Sequence, residues 1–399
     1  MHTALIFRER LLAPSETFIT EQAKRLSRYR PVLVGLRRTR PSLKHSQPEI
    51  LLRDGDRFID RLAASLYRKL PMGPDFFRRL RAANPSIIHA HFAIDAIQAL
   101  PIARKLDIPL VVSLHGSDVT STDRALQVSR SGRHYLRHRE RLFREATAFI
   151  CVSGFIRDAA LRAGFPESKL HVHYTGIDCE RFRPADIRRD PKLILFVGRL
   201  VEVKGCEHVI RAMALLQQHH PDAHLEIIGD GPLRPNLERL AAELSVNTNF
   251  RGVQSPLEVA QRMTRAQILC NPSIKASSGQ MEGFGMVFAE AQAVGTPVVS
   301  FSNAAIPEVV SHGKSGLLCA EGDIGALTSS LQTLLEDSAL WASMNRRGPA
   351  WVKERFDIAR QTEALELLYD DCVANHRRVR SPRVESMSHC AECRTNLKA

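Results

Sequence analysis

The sequence predicts an α/β protein made of two doubly wound domains that face each other across a cleft. Short apolar runs of strand length alternate with helix-like segments, and this alternation is typical of βαβ units with a parallel sheet. It stops at a polar stretch with two prolines, residues 176–191, and then begins again. A length of 399 residues suits two hydrophobic cores better than one. We therefore predict domains over residues 1–184 and 185–375, with the last helix packing back on the first domain, followed by a disordered basic tail over residues 376–399.

The individual elements follow from the same pattern. Strands of the first domain are predicted at residues 4–7, 31–36, 85–91, 108–114 and 148–153. Strands of the second domain are predicted at residues 192–197, 223–228, 249–252, 268–271, 296–301 and 315–320. Helices are predicted at residues 15–29, 93–106, 206–218, 233–244 and 286–294, with a polar loop at residues 37–56. Open α/β sheets bind ligands at the carboxyl ends of their strands, so we expect a ligand in the cleft.

The composition is that of a folded globular protein, with 44% hydrophobic and 25% charged residues. No apolar run approaches the about 20 residues that a membrane-spanning helix needs. The first residues lack the basic region and the long apolar region of a secretory signal. The eight cysteines are scattered, and several lie in apolar runs, which favours free thiols in a reducing compartment. These observations predict a cytoplasmic protein.

The positive charge is concentrated in the first half of the chain. Residues 1–184 carry a net charge of +14, whereas residues 185–399 carry −1. A basic half suits an anionic membrane surface, a phosphate-bearing lipid acceptor or nucleic acid, and the alternative is an Arg-rich face that is merely solvated. The segment Arg57–Arg81 mixes cations with Leu, Ile, Phe and Tyr. It suits the surface of an anionic membrane, and a solvated helix face is again the alternative.

The strongest chemical signal is a loop rich in Gly and Ser that leads through Glu282-Gly-Phe-Gly285 into the helix predicted at residues 286–294. Such a turn offers unpaired backbone N–H groups and the positive end of a helix dipole, which suits a phosphate. Glu282 and Glu290 flank the turn and lie up to roughly 12 Å apart along a helix. This separation suits one carboxylate on a sugar and one on a ribose. The alternative is a loop residue and a surface helix residue without a ligand.

This segment resembles the Glu-x7-Glu signature of the retaining glycosyltransferases of family GT4. The resemblance extends over about residues 85–372 and includes Gly198-Arg199…Lys204, Gly229-Asp-Gly-Pro232, Ile306-Pro-Glu308 and the run from His312 to Leu318. It implies the GT-B fold, in which two Rossmann-like domains face each other across a cleft. It also implies that Glu282 contacts the donor sugar and that Glu290 contacts the nucleotide ribose.

The resemblance further implies that Arg199 and Lys204 hold the diphosphate of the donor. Two cations just past a strand end suit a leaving diphosphate, because they neutralise the charge that develops as the glycosidic bond breaks. Arg grips phosphate with two hydrogen bonds, and Lys acts as a compact charge. A solvent-exposed basic pair is the alternative. The other donor-binding residues implied are Gly198, Gly231, Gly283, Phe284, Gly285 and Met286.

In the first half, a predicted strand ends at His115-Gly-Ser-Asp118, which resembles the His-Gly-x-Asp motif of the family. The family His sits near the reacting sugar, and an imidazole suits a hydrogen bond to a sugar hydroxyl or to the acceptor. Asp118 is expected to orient a loop or cap the next helix, and a purely structural role is the alternative. His89 and His91 share one strand face at a spacing that a metal could use. Without nearby carboxylate or Cys partners, packing or hydrogen bonding is the favoured role.

The loop after the first strand departs from the family pattern. Many members have a Gly-Gly turn there, whereas this chain has Ser15-Glu16-Thr17 followed by Phe18. Members that act in exopolysaccharide assembly, such as the colanic-acid branch, show a similar sequence. The hydroxyls of Ser15 and Thr17 are expected to replace glycine contacts and to cap the next helix. We therefore place Ser15, Glu16, Thr17 and Asp118 on the acceptor side.

The predicted function is retaining transfer of a sugar from a UDP- or GDP-linked donor to a saccharide or a polyprenyl-diphosphate-linked oligosaccharide. We expect no metal, no cofactor and no nucleic-acid partner, and a location in the cytoplasm or at the inner face of the membrane. One alternative is a nucleotide-linked oxidoreductase, but neither domain shows Gly-x-Gly-x-x-Gly after a strand. A nucleic-acid-binding protein fits the net charge, but the chain lacks an aromatic-basic RNA motif.

Overall fold

The computed structural model describes residues 1–13, 16–39, 42–55 and 57–380. Within these ranges the chain forms two parallel β-sheets, and each is flanked by helices. The predicted α/β class with two doubly wound domains is confirmed.

The first sheet is built by residues from the first half of the chain. Its strands are β1 (His2–Leu11), β2 (Tyr29–Arg38), β3 (Glu49–Leu51), β4 (Pro85–His91), β5 (Leu110–Leu114), β6 (Ala148–Cys151) and β7 (Leu170–Val172). Their order is β3-β2-β1-β4-β5-β6-β7, and neighbouring strands are parallel. The chain thus builds outward from β1 in one direction and from β4 in the other, which is the doubly wound order.

The second sheet repeats this winding. Its strands are β8 (Asp190–Val197), β9 (His224–Ile228), β10 (Thr248–Gly252), β11 (Ala266–Cys270), β12 (Val298–Phe301) and β13 (Gly316–Cys319). Their order is β10-β9-β8-β11-β12-β13, again parallel throughout. The order reverses between β8 and β11, and a ligand site is expected at the carboxyl end of such a point.

Helices connect the strands of both sheets. Those of the first half are α1 (Thr17–Arg25), α2 (Phe58–Lys69), α3 (Pro74–Ala82), α4 (Ala93–Leu106), α5 (Ser117–Thr120), α6 (Asp123–Gln127), α7 (Arg130–Glu145) and α8 (Gly154–Arg162). Those of the second half are α9 (Cys206–Leu216), α10 (Arg234–Glu243), α11 (Pro256–Arg265), α12 (Met286–Ala293), α13 (Ile306–Val309), α14 (Ile324–Glu336), α15 (Ser338–Phe356) and α16 (Ile358–Arg380).

The central strands are buried along most of their length. Every residue of β5 is buried, and so are residues 193–196 of β8. Strands covered by helices on both faces need continuous apolar runs, and these runs are the pattern that predicted them from the sequence. Two edge strands escaped prediction, because β3 and β7 have only three residues each and show no alternation. The expected loop at residues 37–56 therefore contains β3 and the end of β2.

The chain crosses between the domains twice, and the two crossings pair with each other. The backbone N–H of Ile177 donates to the carbonyl of Phe356 at 2.7 Å, and the N–H of Ile358 donates to Ile177 at 2.9 Å. Gly176 permits this approach, since a Cβ there would lie 2.7 Å from the Cα of Ile358. The predicted linker at residues 176–191 is thus fixed to the second crossing at its start and becomes β8 at its end.

The second crossing leads into α16, which packs on the first domain. Its residues Leu365, Tyr369, Cys372 and Val373 are buried in one cluster with apolar side chains of the first sheet and α1. The helix continues to Arg380, so residues 376–380 are helical and not part of a disordered tail. Residues 381–399, the rest of that expected tail, lie outside the described part of the chain.

A buried carboxylate fixes α16 to the first domain. Glu366 is 2% exposed and accepts hydrogen bonds from the backbone N–H groups of Ser27 (2.8 Å), Arg28 (2.7 Å) and Tyr29 (3.2 Å). The hydroxyl of Ser27 donates to its other oxygen at 2.9 Å. These N–H groups precede or begin β2, so one side chain satisfies donors that the sheet leaves unpaired.

We predict that Glu366→Ala lowers the free energy of unfolding by about 2–4 kcal/mol, because three backbone N–H groups, that of the buried Tyr29 among them, lose their charged acceptor. Denaturant unfolding followed by circular dichroism measures this. Glu366→Gln keeps an acceptor oxygen and should lose less. Glu363→Ala, an exposed change on the same helix, is the control and should leave the midpoint unchanged. Equal midpoints for Glu366→Ala and the control would contradict this role.

Candidate active site

The turns that carry the predicted motifs of the two domains touch each other. Gly283 lies so close to the turn after β5 that a Cβ would sit 2.1 Å from the carbonyl oxygen of His115. Gly116 has a φ of 133°, and a Cβ there would lie 3.3 Å from the carbonyl oxygen of Met281. The hydroxyl of Ser153, after β6, donates to the carbonyl of Gly283 at 2.7 Å. Only glycine permits this backbone contact, which places Glu282 beside His115.

Glu282 forms an ion pair with the predicted phosphate-binding lysine. Lys204 Nζ lies 2.6 Å from Glu282 Oε2, and the hydroxyl of Ser273 donates to the same oxygen at 3.3 Å. Gly198 adjoins this pair, since a Cβ there would lie 3.7 Å from Lys204 Cγ. Asn271 fixes the end of β8 through the N–H (3.2 Å) and the carbonyl (2.8 Å) of Val197. Glu282 and Lys204 thus form one polar group beside Gly198.

The N-terminus of α12 has no side-chain cap. Gly285 is the N-cap residue with a φ of 81°, and no side chain accepts a hydrogen bond from the first turn. A Cβ at Gly285 would lie 2.4 Å from the ring of Phe288, so glycine is needed here. Phe284 is buried, with its ring centroid 5.2 Å from that of Phe356. The turn is held rigidly by apolar packing while the N–H groups of Met286 and its neighbour remain suited to an anion.

Glu290 lies in a small cavity of about 20 Å³ that both domains line. The lining includes Thr17 and Glu21 of α1, Arg181 of the first crossing, and Met286 of α12. Burial raises the pKa of the Glu290 carboxyl to about 7, and the nearby Arg181 opposes this rise. Arg181 itself pairs with Glu21 at 3.2 Å. The N-terminal residue of α1 and the first residue of α12 therefore face the same enclosed space.

His115 is enclosed by aromatic side chains and kept neutral. Its ring centroid lies 4.9 Å from Phe18 and 4.5 Å from Phe92, and its Nε2 lies 3.0 Å from Nδ1 of His91. Burial first, and then the positive charge of Arg8, lower the pKa of His115 to about 3. At neutral pH this imidazole is uncharged, so it can donate or accept a hydrogen bond but does not act as a cation.

Asp118 holds the turn that presents His115. Its carboxylate accepts hydrogen bonds from the backbone N–H groups of His115 (3.1 Å) and Gly116 (3.0 Å) and, at the start of α4, of Ala93 (3.0 Å). The side chain is 3% exposed. Asp118 thus orients the turn after β5 and binds the start of α4, whereas α5, the helix that begins at Ser117, has no side-chain cap from the described part of the chain.

The histidines on β4 are held by hydrogen bonds. His89 lies 2.6 Å from the hydroxyl of Tyr369 and 2.7 Å from that of Ser113, and its ring centroid lies 4.4 Å from that of His91, with the rings tilted. These contacts agree with the favoured packing or hydrogen-bonding role. Within the described ranges, no group of three or more His, Cys, Asp or Glu side chains is placed to hold a metal ion.

The predicted acceptor-side loop contributes to two places. Glu16 is buried and pairs with Arg8 at 2.5 Å, while Thr17 begins α1 and lines the cavity of Glu290. Among the described residues no side chain caps α1, so Thr17 does not make the expected cap. Ser15 lies outside the described residues.

A cluster of charges that the sequence did not reveal surrounds Arg8. Its guanidinium pairs with Glu16 and with Asp95, each at 2.5 Å, and lies 4.3 Å from the centre of the Phe92 ring. Burial raises the pKa of Asp95 to about 6, although Arg8 opposes the rise. The sequence signal that could have indicated this cluster is the run Arg8-Glu-Arg10, which follows the apolar residues of the first strand. Charged side chains at the carboxyl end of a strand lie at the edge of the sheet that faces the cleft.

Arg199 and Gly231 lie together at the end of β8. Arg199 is exposed, and the next residue, Leu200, receives a backbone hydrogen bond from Leu233 at 3.1 Å. A Cβ at Gly231 would lie 2.5 Å from the carbonyl oxygen of Leu200. The glycine is thus required for close backbone packing beside Arg199, and the guanidinium is accessible from solvent.

Glu308 links the domains in a way that the motif Ile306-Pro-Glu308 alone did not indicate. It accepts hydrogen bonds from the N–H groups of Gly154 (2.8 Å) and Phe155 (2.7 Å), at the N-terminus of α8, and from the hydroxyl of Tyr174 (3.1 Å). A carboxylate is favourable at this positive end of a helix. The second domain therefore caps a helix of the first.

Comparison with known proteins identifies the family. Residues 15–181 match the family model described as Glycosyltransferase Family 4, and residues 180–351 match Glycosyl transferases group 1. A GDP-mannose-dependent alpha-(1-6)-phosphatidylinositol monomannoside mannosyltransferase of Mycolicibacterium smegmatis is 30% identical, with 64% of this chain and 69% of the relative covered. The chain belongs to the family 4, group 1 glycosyltransferases.

Other relatives of this glycosyltransferase family agree. The amylovoran biosynthesis glycosyltransferase AmsK of Erwinia amylovora is 31% identical over 65% of this chain, and the match spans 63% of the length of AmsK. The crystal structure of Anabaena Alr3699/HepE in complex with UDP and glucose covers 93% of this chain and 100% of that one, with a TM-score of 0.73 and 19% identity. These matches bear out the GT-B fold and do not support the oxidoreductase or nucleic-acid alternative.

Across the described helices of this glycosyltransferase, none is both long enough and apolar enough to cross a bilayer.

The raised pKa of Glu290 gives a test of its burial. Its folded-state pKa of about 7 exceeds the ordinary value of 4.5, so the cost of burying the charge is absent at low pH and grows as pH rises through 7. Glu290→Gln avoids this cost. We expect the variant to be more stable than the wild type by about 1–2 kcal/mol near pH 8, reduced from the full shift by partial exposure, and similar near pH 5.

Denaturant unfolding across this pH range measures the difference. Glu243→Gln, at an exposed position of α10, is the matched control and should show no trend with pH. A stability difference for Glu290→Gln that stays constant with pH would contradict the assignment.

Proposed function

We propose that this protein is a retaining glycosyltransferase that moves a hexosyl group from a UDP- or GDP-linked sugar to a saccharide or lipid-linked saccharide. One observation carries the proposal: the Glu282–Lys204 pair and the uncapped start of α12 lie beside His115 of the opposite domain. A site made from two domains can enclose a donor and exclude water, which favours transfer over hydrolysis.

The donor is proposed to lie along the turn before α12. Its diphosphate would accept hydrogen bonds from the N–H groups at the start of that helix. Lys204 and, from the end of β8, Arg199 would bind its negative charge. Glu282 would turn from Lys204 to the hydroxyls of the sugar, and Glu290 to those of the ribose. Gly198, Gly231, Gly283, Phe284, Gly285 and Met286 would shape the backbone around it.

The chemical contribution of these residues is electrostatic. As the glycosidic bond breaks, negative charge grows on the departing diphosphate, and Arg199, Lys204 and the dipole of α12 are placed to stabilise it. The neutral imidazole of His115 would hydrogen-bond a hydroxyl of the transferred sugar. The positive charge supplied by the chain itself is the reason that the proposal includes no metal and no cofactor.

The acceptor is proposed to bind at the carboxyl end of the first sheet, near the buried group of Arg8, Glu16 and Asp95. Relatives named for amylovoran biosynthesis and for a phosphatidylinositol mannoside support a saccharide or lipid-linked acceptor, such as a polyprenyl-diphosphate oligosaccharide of a cell-surface polysaccharide. Such acceptors and nucleotide sugars meet at the inner face of the cytoplasmic membrane, where we place the protein. Nucleic acid has no part in this proposal.

A panel of UDP- and GDP-sugars tests donor binding. We expect one donor to raise the melting temperature and to release nucleotide, because a ligand that binds only the folded state stabilises it. Arg199→Ala and Glu290→Ala should abolish the rise. Arg211→Ala and Glu243→Ala, at exposed positions of the same domain, are matched controls that should retain it. An unchanged rise in both site variants would remove the site assignment.

A variant of His115 tests whether sugar transfer can be lost while donor binding is kept. We expect His115→Ala to lower the rate of transfer by about 10²-fold, comparable to the loss of a hydrogen bond to the reacting group, while the donor still raises the melting temperature. Nucleotide release with the active donor measures the rate. His219→Ala, an exposed change in the second domain, is the control. Wild-type turnover in His115→Ala would place the reacting sugar elsewhere.

A further inference from the structure

Helix α2 has two apolar faces, and only one of them is covered. Ala64 and Tyr67 are buried, with the ring of Tyr67 packed against Phe76 at 6.2 Å and Phe77 at 6.5 Å. The opposite face carries large apolar side chains in contact with solvent. Their exposed fractions are Phe58 81%, Ile59 62%, Leu62 47% and Leu66 57%, followed just past the helix by Leu70 61% and Met72 59%.

These side chains form one stripe. Positions 58, 59, 62 and 66 fall within about 100° of each other around a helix with 3.6 residues per turn. Six of the fifteen exposed large apolar side chains of the described residues lie between residues 58 and 72. A merely solvated helix face would be polar, and contiguous exposed apolar surface marks a site of interaction.

The charges around the stripe are positive. Residues 57–82 contain seven Arg and Lys and two acidic residues. One of the acidic residues, Asp60, is buried and accepts a hydrogen bond from the N–H of Arg57 at 3.0 Å, and the other, Asp75, pairs with Arg79 at 3.0 Å. Lys69 is exposed on the stripe side of the helix. Apolar side chains within a basic rim complement the acyl chains and anionic headgroups of a bilayer.

The end of the stripe opens into a basic hollow. A cavity of about 330 Å³, open to solvent, is lined by Met72, Phe77, Arg81 and Lys105. Lys105 Nζ lies 4.3 Å from the centre of the Phe77 ring and donates to the carbonyl of Pro71 at 2.7 Å. Arg81 and Lys105 thus place two cations beside apolar walls at the end of the stripe, and this arrangement also suits phosphate headgroups.

Helix α2 is tied to the acceptor side of the cleft. Arg68 pairs with Glu9 of β1 and donates to the hydroxyl of Ser131 at 3.2 Å. The backbone N–H of Glu9 donates at 2.8 Å to Asp95, which is the partner of Arg8. A membrane that binds α2 would therefore lie next to the edge of the first domain at which the acceptor is proposed to bind.

We infer that the stripe of α2, formed by Phe58, Ile59, Leu62, Leu66, Leu70 and Met72, is the surface by which this protein lies on an anionic phospholipid membrane. The helix lies in the plane of the interface, with its apolar face among the acyl chains and its cations at the headgroups. The inference rests on the proposed function only in supplying the reason for membrane contact, which is access to a lipid-linked acceptor.

Flotation with vesicles tests the inference on the full chain. We expect binding to vesicles of phosphatidylcholine mixed with phosphatidylglycerol, weaker binding to phosphatidylcholine alone, and loss of binding at high salt. Phe58→Ser, Leu62→Ser and Leu66→Ser combined should lower the partition coefficient by about tenfold or more, because three apolar side chains no longer leave water. The matched control combines Leu215→Ser, Val253→Ser and Leu257→Ser, which are also exposed but lie in the second domain.

A second variant reports the depth of insertion. Phe58→Trp keeps the apolar character, so it should bind as the wild type does and shift its emission to the blue when vesicles are added. Three outcomes would overturn the inference. They are no vesicle binding by the wild type, equal binding by the triple variant, and self-association through the stripe in light scattering without vesicle binding.

The donor-induced rise in melting temperature distinguishes a failure of the membrane inference from a failure of the proposed function. The triple serine variant should retain it, because no residue of the stripe lines the cavity of Glu290. A protein that binds its donor but not vesicles would remove the membrane surface alone. A protein that binds vesicles but no nucleotide sugar would remove the proposed function and leave the membrane surface in place.

Discussion

The site depends on a backbone contact between the two domains. Gly283 lies against the carbonyl oxygen of His115, with no room for a side chain, so the turn after β5 sets the position of Glu282 and of the start of α12. A contact between flexible side chains could adjust to a shift of the turn, whereas a contact between backbone atoms cannot. Ser153 and Glu308 reinforce it from either side, each binding backbone atoms of the opposite domain. The parts of the candidate site that come from the two domains are thereby held in fixed positions relative to each other.

Burial in this frame changes the charge of several groups. It raises the pKa of Glu290 to about 7 and that of Asp95 to about 6, and it lowers that of His115 to about 3. Each shift favours the neutral form, as expected where water is excluded. Lys204 instead keeps a charged partner in Glu282. Perturbed groups of this kind cluster at functional sites, because binding and catalysis need pKa values matched to their task.

The sequence predicted the central strands, the α/β class and the groups that carry short motifs, because these depend on local patterns. It located Glu282, Lys204 and His115, and the structure brings them together. It missed what depends on distant pairing. The ion pair of Arg8 with Asp95 joins residues far apart in the chain, as does the contact of Glu308 with α8. The strands β3 and β7 exist because they pair with adjacent strands of the sheet. Each has only three residues, which are too few to show an apolar pattern in the sequence.

The return of α16 makes the first domain discontinuous in sequence. Its folding unit comprises the first half of the chain together with a helix near the other end, and Tyr369 packs against Tyr29 with ring centroids 5.2 Å apart. A fragment that stops at residue 184 therefore lacks part of its own interior and the carboxylate that completes the start of β2. Synthesis from the ribosome can close this core only after the second domain has emerged, which couples the maturation of the two halves.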